Sequence, residues 1–195
     1  MSSPSAPRPA AAEPRRRDPE AVRGALLDAV TALLAEGQAI SIGAVADRAG
    51  VSKGAAQHHF GTRAAMLEAV MDACLADFTA QLQAERAAGE TDAARAYVRA
   101  TFRGAPADGL VQWRAMLAAL VVERAAARRW ADWLDEDRRQ DRPADSRDLI
   151  LRLAADGLWL SDLLGLYRLS ADDRTRLEAD LLALQHASIG QGAAR

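Results

Sequence analysis

From Pro19 onward the chain reads as a succession of amphipathic helices. Val22, Leu26, Val30, Leu33 and Leu34 recur at the three-and-four spacing that lines one face of a helix. Ahead of them, Asp18-Pro19-Glu20 supplies an N-cap, a proline at the first helical position and an acid in the first turn, and Gly37 marks the end. Ser41 opens a short second helix carrying Ile42, Val45 and Ala46, which Gly50 stops; Ser52 caps a third that runs to about His59. Thr62 then caps a long helix with the stripe Met66, Leu67, Val70, Met71, Leu75, Phe78 and Leu82. Breaks at Gly89-Glu90-Thr91 and Gly104-Ala105-Pro106 divide the remainder of the chain into further helices, and no internal repeat is visible.

Between Ser146 and Tyr167 the apolar positions spread over nearly the whole circumference of a helix: Leu149, Ile150, Leu151, Leu153, Leu158, Trp159, Leu160, Leu163, Leu164 and Leu166. Such a helix must be buried all round. A small domain rarely encloses one helix completely. Part of this surface, with the helix after the capping box Ser170-Ala171-Asp172-Asp173, is therefore expected to meet a second copy, which makes a homodimer. A central core helix in a monomer is the alternative.

Composition makes the helical reading general. Ala supplies 46 of the 195 residues, whereas Val, Ile and Thr together supply 19, so a β-sheet lacks its usual residues and the expected class is all-α. Five of the seven prolines, at 4, 7, 9, 14 and 19, lie among Ser and Ala at the start. Residues 1–17 are accordingly expected to be a disordered basic arm, ending in Arg15, Arg16 and Arg17, which either reach phosphates or a minor groove or form a solvated tail. The single Cys74 excludes an internal disulfide and any multi-cysteine metal site. No run of about 18 uncharged apolar residues occurs and no signal-peptide stretch is seen, so the expected location is the cytoplasm. The net charge of -2 divides unevenly: residues 1–63 carry 8 basic and 6 acidic groups and the rest 17 and 21, or +2 against -4. An anionic partner is to be sought at the N-terminal end.

The most informative stretch is Val45-Ala46-Asp47-Arg48-Ala49-Gly50-Val51-Ser52-Lys53-Gly54. Two helices crossing near a right angle over a three- or four-residue turn need a small residue at the crossing and one tolerant of positive φ in the turn; Ala46 and Gly50 supply them. Val45, Ala49, Val51 and Ala56 then face inward, and Ser52, Lys53, Gln57 and His58 lie on the outer side, which would enter a major groove. Lys53 can meet a phosphate or a guanine edge, Gly54 and Ala55 keep the helix slim, and Gln57 can pair bidentately with adenine. His58 and His59 can donate to phosphate, and Thr62 leaves free N–H groups beside Arg63. Lys53 is also the only lysine, against 24 arginines.

These residues carry a family resemblance. Residues 20–68 resemble the DNA-binding domain of the tetracycline-repressor (TetR) family, through Ala46 to Gly54, His58-His59-Phe60, Gly61-Thr62-Arg63 and Met66-Leu67. The resemblance implies a three-helix helix-turn-helix domain over residues 18–68 and a helical ligand-binding and dimerisation domain over 69–195. It implies a cytoplasmic homodimeric regulator on double-stranded operator DNA, most simply a repressor released by a small hydrophobic or aromatic effector, with no cofactor and no membrane association. The DNA-contacting set is then Ser41, Ser52, Lys53, Gly54, Gln57, His58, His59, Thr62 and Arg63. Three departures stand out: Ala56-Gln57 replaces the usual Leu-Tyr, the loop from Gly37 to Val45 is one residue short, and Gly61 replaces a frequent proline. Further on, Leu153-Ala154-Ala155-Asp156-Gly157-Leu158-Trp159 followed by Asp162 resembles a branch whose members respond to cationic or aromatic drugs.

All four tryptophans, Trp113, Trp130, Trp133 and Trp159, fall in the C-terminal half with Phe102, Met116 and Tyr167. They are expected to wall an aromatic effector pocket, with Trp130 and Trp159 the preferred pair, although any of them could instead fill a core of Ala and Leu. Asp156 and Asp162, six apart and expected on opposite sides of their helix, are each available as a counter-charge or as the partner of an arginine such as Arg152. The rival readings are a small helical enzyme and a protein-binding adaptor. His58, His59, His186 and Cys74 form no catalytic order or metal spacing, and Cys74 sits in an apolar stripe. An adaptor leaves the turn motif without purpose.

Overall fold

Capping side chains set the starts of the first four helices. Asp18, Ser41, Ser52 and Thr62 each accept a backbone N–H two or three residues ahead, all at 3.1 Å. The computed structural model describes residues 18–103, 109–139 and 146–184. The arm 1–17 with its three arginines, Pro106, Pro143 and His186 lie outside the described residues. Among the described residues there are nine α-helices and no strand: α1 (Pro19–Ala35), α2 (Ile42–Ala49), α3 (Lys53–Phe60), α4 (Arg63–Ala87), α5 (Ala93–Arg103), α6 (Gly109–Val122), α7 (Arg124–Arg139), α8 (Ser146–Leu164) and α9 (Ala171–Leu184).

One continuous core runs from Leu26 and Val30 of α1 to Leu181 and Leu182 of α9. Helix α4 is its spine, and the whole stripe from Met66 to Leu82 is buried. Its first turns, with Met66, Leu67 and Val70, help close the α1–α3 bundle, and its later turns pack on α5, α6 and α7. Residue 68, where the sequence suggests a domain boundary, thus lies inside a continuous helix. Helix α6 packs along α1 and joins the two halves a second time. The abundance of alanine has a packing role: Ala93, Ala94, Ala96 and Ala100 of α5, Ala115 and Ala119 of α6, and Ala155 of α8 are all buried, which lets helix axes approach closely.

The carboxylates buried in the core, Glu85 and Asp137, are paired. Glu85 is bonded by Arg103, and Asp137 of α7 takes Arg152 of α8 at 2.7 Å and Arg86 of α4 at 3.4 Å. Cys74 is buried and donates to the Gln112 carbonyl of α6 at 3.6 Å. Burial pushes its thiol up to about 12. At about pH 8, where a free thiol is partly ionised, Cys74 is therefore expected to resist a thiol-titrating dye in the folded protein and to react with one equivalent in denaturant. Rapid labelling in native buffer would show instead that the α4–α6 contact opens.

Candidate nucleic-acid interface and effector cavity

At the end of α2, Gly50 takes φ +62°, a conformation that carries little strain only without a Cβ. This lets Val51 N–H reach back to the Ala46 carbonyl at 3.0 Å and Gly50 N–H to that of Asp47 at 3.3 Å, closing the helix and turning the chain sharply into α3. Val45 and Ala56 are buried on either side of the turn, with Ala49 and Val51 half-buried. Arg48 clamps Glu36 bidentately at 2.6 and 3.1 Å and ties the end of α1 to α2; this bond holds the Glu36 carboxyl below its ordinary value.

Helix α3 buries Ala56 and Phe60, one turn apart, and leaves Ser52, Lys53, Gly54, Gln57 and His58 exposed, with His59 half-buried. The Arg23 guanidinium of α1 lies 5.6 Å from the Phe60 ring centre, and the two imidazoles meet edge-on at 5.5 Å. Ser41, Thr62 and Arg63 are exposed as well, the two hydroxyls serving as caps of α2 and α4. Gln57 has a second task that its sequence position does not announce. Its side-chain amide donates to the Gly61 carbonyl at 2.6 Å, and Gly61 N–H returns a bond to the Gln57 carbonyl at 2.9 Å. Gly61 itself stands at φ +67°. Bidentate pairing of Gln57 with adenine thus requires its side chain to leave that carbonyl.

A second concave region lies among α4, α5, α6, α7 and α8, a partly open cleft with a cavity volume of about 40 Å³. Phe78 and Gln81 of α4, Tyr97, Ala100 and Thr101 of α5, and Leu110 and Trp113 of α6 form one side. Trp130 of α7 and Asp156, Trp159, Asp162 and Leu163 of α8 form the other. The rings make a connected set. Phe78 meets Tyr97 and Trp113 edge-on at 5.2 and 5.8 Å, Trp113 meets Trp159 at 5.6 Å, and Trp130 lies nearly parallel to Trp159 at 6.4 Å and 21°.

Of the residues expected at a pocket, Trp113, Trp130, Asp156 and Trp159 thus come together. Phe102 and Met116 are buried elsewhere in the core. Trp133 stands behind the wall, stacked on Trp130 at 5.6 Å and donating its indole N–H to Thr79 at 3.1 Å. Tyr167 is exposed in the turn after α8. Asp156 and Asp162 border the same cavity and are not on opposite sides, because six residues leave them about 120° apart. Arg152 pairs with Asp137, while Asp162 is bonded by Arg174. Phe78 had announced itself only as part of a stripe. Tyr97 gave no sequence signal, since its hydroxyl partner, Asp156 at 2.5 Å, lies 59 residues away.

Among the described residues no group of three His, Cys, Asp or Glu is placed to hold a metal ion, and no helix is long and apolar enough to cross a membrane. Residues 26–70 match the family model described as bacterial regulatory proteins, tetR family, and residues 91–186 match tetracyclin repressor-like, C-terminal domain. The chain belongs to the TetR family. The enzyme alternative falls with that membership, which is in a family of regulatory proteins. A curated relative, the HTH-type transcriptional regulator BetI 2 of Chromohalobacter salexigens, is 33% identical over 132 residues. The match spans 60% of this chain and 64% of that regulator's length. The fold of the multidrug binding protein EbrR, solved with imidazole, superposes with a TM-score of 0.66 at 21% identity over 93% of this chain and 97% of that one. A putative transcriptional regulator from Pseudomonas aeruginosa superposes at 0.63, with 22% identity over 89% and 94%.

The Tyr97–Asp156 bond offers a direct test of the cavity wall. Burial raises the Asp156 carboxyl above its ordinary value, while the Tyr97 hydroxyl and the Arg152 charge pull it down. Because the folded value exceeds the unfolded one, the cost of the ionised form is felt above it and relieved as pH falls through it. Tyr97→Phe removes a donor from a carboxylate that needs one. It should cost about 1–3 kcal/mol at neutral pH, measured by urea unfolding, with the deficit shrinking in acid. A deficit independent of pH would mean that the hydroxyl does not bear on Asp156.

Proposed function

We propose that this protein is a homodimeric, ligand-responsive DNA-binding regulator, acting as a repressor that a small hydrophobic or aromatic molecule releases from its operator. The observation that carries the reading is the two-sided character of α3: Ala56 and Phe60 inside, Ser52, Lys53, Gly54, Gln57 and His58 outside. Ser52, Lys53, Gly54, Gln57 and His58 would meet the major groove, with His59, Ser41, Thr62 and Arg63 toward phosphates. On this reading residues 18–68 form the DNA-binding part and 69–195 the effector and dimer part, in the cytoplasm where operator DNA is found.

The dimer face is α8 with α9. Leu149, Ile150, Leu153, Leu160 and Leu164 are exposed along α8, and Leu153 keeps 60% of its surface. A Cβ placed on Gly157, in the middle of this strip, would meet nothing within 4 Å. Leu177 and Leu184 of α9 add to the strip, whose spacing suits helices packing across a two-fold axis. Two recognition helices held at about 34 to 36 Å would read successive major grooves. Effector binding among Trp113, Trp130, Asp156 and Trp159 changes that spacing if the ligand prefers the mismatched state. The mechanical route is short. Phe78 borders the cavity from α4, whose first turn carries Thr62 beside α3, and α6 reaches from the cavity to α1.

In gel shifts with the promoter region adjoining its own gene, Lys53→Ala should bind more weakly on every sequence, with a log–log salt slope shallower by about one. Unchanged affinity and slope would remove Lys53 from the contact set. Leu153→Glu should sediment as a monomer and lose operator binding at concentrations where the wild type binds. A dimeric Leu153→Glu would move the subunit interface away from α8.

A further inference from the structure

A cavity in the effector role proposed above, on which the following rests, selects first by size. Its volume of about 40 Å³ has room for about three waters and none for an aromatic ring. A ligand therefore inserts a small head group and leaves its larger body at the open side of the cleft. Five aromatic rings and two carboxylates, Asp156 and Asp162, surround that head, and no basic side chain among the described residues lines the cavity. Ring faces and carboxylates both favour a cation.

The two carboxylates differ in what they have left to offer. Asp162 is ion-paired with Arg174 of α9. Asp156 takes the Tyr97 hydroxyl on Oδ1 at 2.5 Å, and no described residue donates to its Oδ2. Arg152 is turned to Asp137 at 2.7 Å and lies 4.8 Å from the Tyr97 ring centre, so it acts on Asp156 through its charge and not through a hydrogen bond. Two hydroxyls of the wall are spent as donors, Tyr97 on Asp156 and Thr101 on the Tyr97 carbonyl at 2.9 Å. The Trp159 indole N–H lacks an acceptor, but it has no surface open to the cavity. Gln81 offers a donor and an acceptor alike and discriminates against neither. At Asp156 the ligand thus meets an acceptor oxygen whose charge burial penalises until a donor reaches it.

We infer that the cavity takes a primary ammonium group carried on an apolar body, that this group donates an N–H to Oδ2 of Asp156, and that a quaternary ammonium of equal charge is turned away. Charge alone does not separate the two cations. The quaternary nitrogen has no N–H to give, and its methyl groups fill more space than the head group is allowed.

Three head groups on one naphthalene body test this by isothermal titration against the full-length protein at neutral pH. They are naphthylmethylamine, which is protonated there; ethylnaphthalene, in which a methyl group of the same shape replaces the ammonium; and the trimethylated amine, which keeps the charge without an N–H. The wild type should bind the amine about tenfold more tightly than either of the others. In Asp156→Asn the one oxygen is kept for Tyr97 and an amide NH2 faces the cavity, so the amine should lose its advantage over ethylnaphthalene. A wild type that binds ethylnaphthalene or the trimethylated compound as tightly as the amine, or an amine advantage that survives in Asp156→Asn, would overturn the inference. Should the variant not fold, the two wild-type comparisons decide alone. The expected selectivity with an operator complex that the amine leaves intact in gel shifts upholds the head-group preference and removes the effector role. Binding of none of the three overturns both.

Discussion

Helix α4 is the constraint on which the rest depends. Its Thr62 cap fixes where it begins, directly after α3, its first turns close the N-terminal bundle, and one face stays buried through Leu82. From Thr62 to Phe78 the helix spans about 24 Å at the standard rise. Phe78 touches Tyr97, Trp113 and Trp133, so three other helices grip the spine through one ring. A packed interior of this kind moves between discrete arrangements and does not deform smoothly. Between its cap beside α3 and Phe78, α4 runs without a break.

The helices were legible in the sequence because their signals are local. Asp18, Ser41, Ser52 and Thr62 sit within three residues of the N–H groups they satisfy, and the α4 stripe repeats at the helical period. The outward face of α3 is set by the same period once Ala56 and Phe60 are inside. The cavity was legible only in part. Tryptophans in an alanine-rich half point to an aromatic region, but which of them share a wall depends on how α6, α7 and α8 pack. Trp130 and Trp133 are neighbours on one helix, and the contacts of Trp133 with Thr79 and Phe78 of α4 set it behind the other. Tyr97 with Asp156, and Gln57 folded onto Gly61, are hydrogen bonds that periodicity does not encode.

Alanine and arginine divide the work of the interior. Small side chains bring α5 close to α4 and α8, and the ion pairs Glu85–Arg103 and Asp137–Arg152 fill the few polar positions that close approach would otherwise leave unsatisfied. Such pairs contribute little net stability once their desolvation is counted, but breaking one partner is costly, which fixes the relative rotation of the helices that carry them. The aromatic wall is thus oriented by charges that do not themselves border the cavity.

The preference for arginine everywhere but one place has a chemical corollary. Lys53, exposed in the first turn of α3, is the sole side-chain primary amine of the chain. Reagents or acyl donors that distinguish amines from guanidines therefore find one side-chain address, and neutralising that ammonium leaves every guanidinium pair of the scaffold intact.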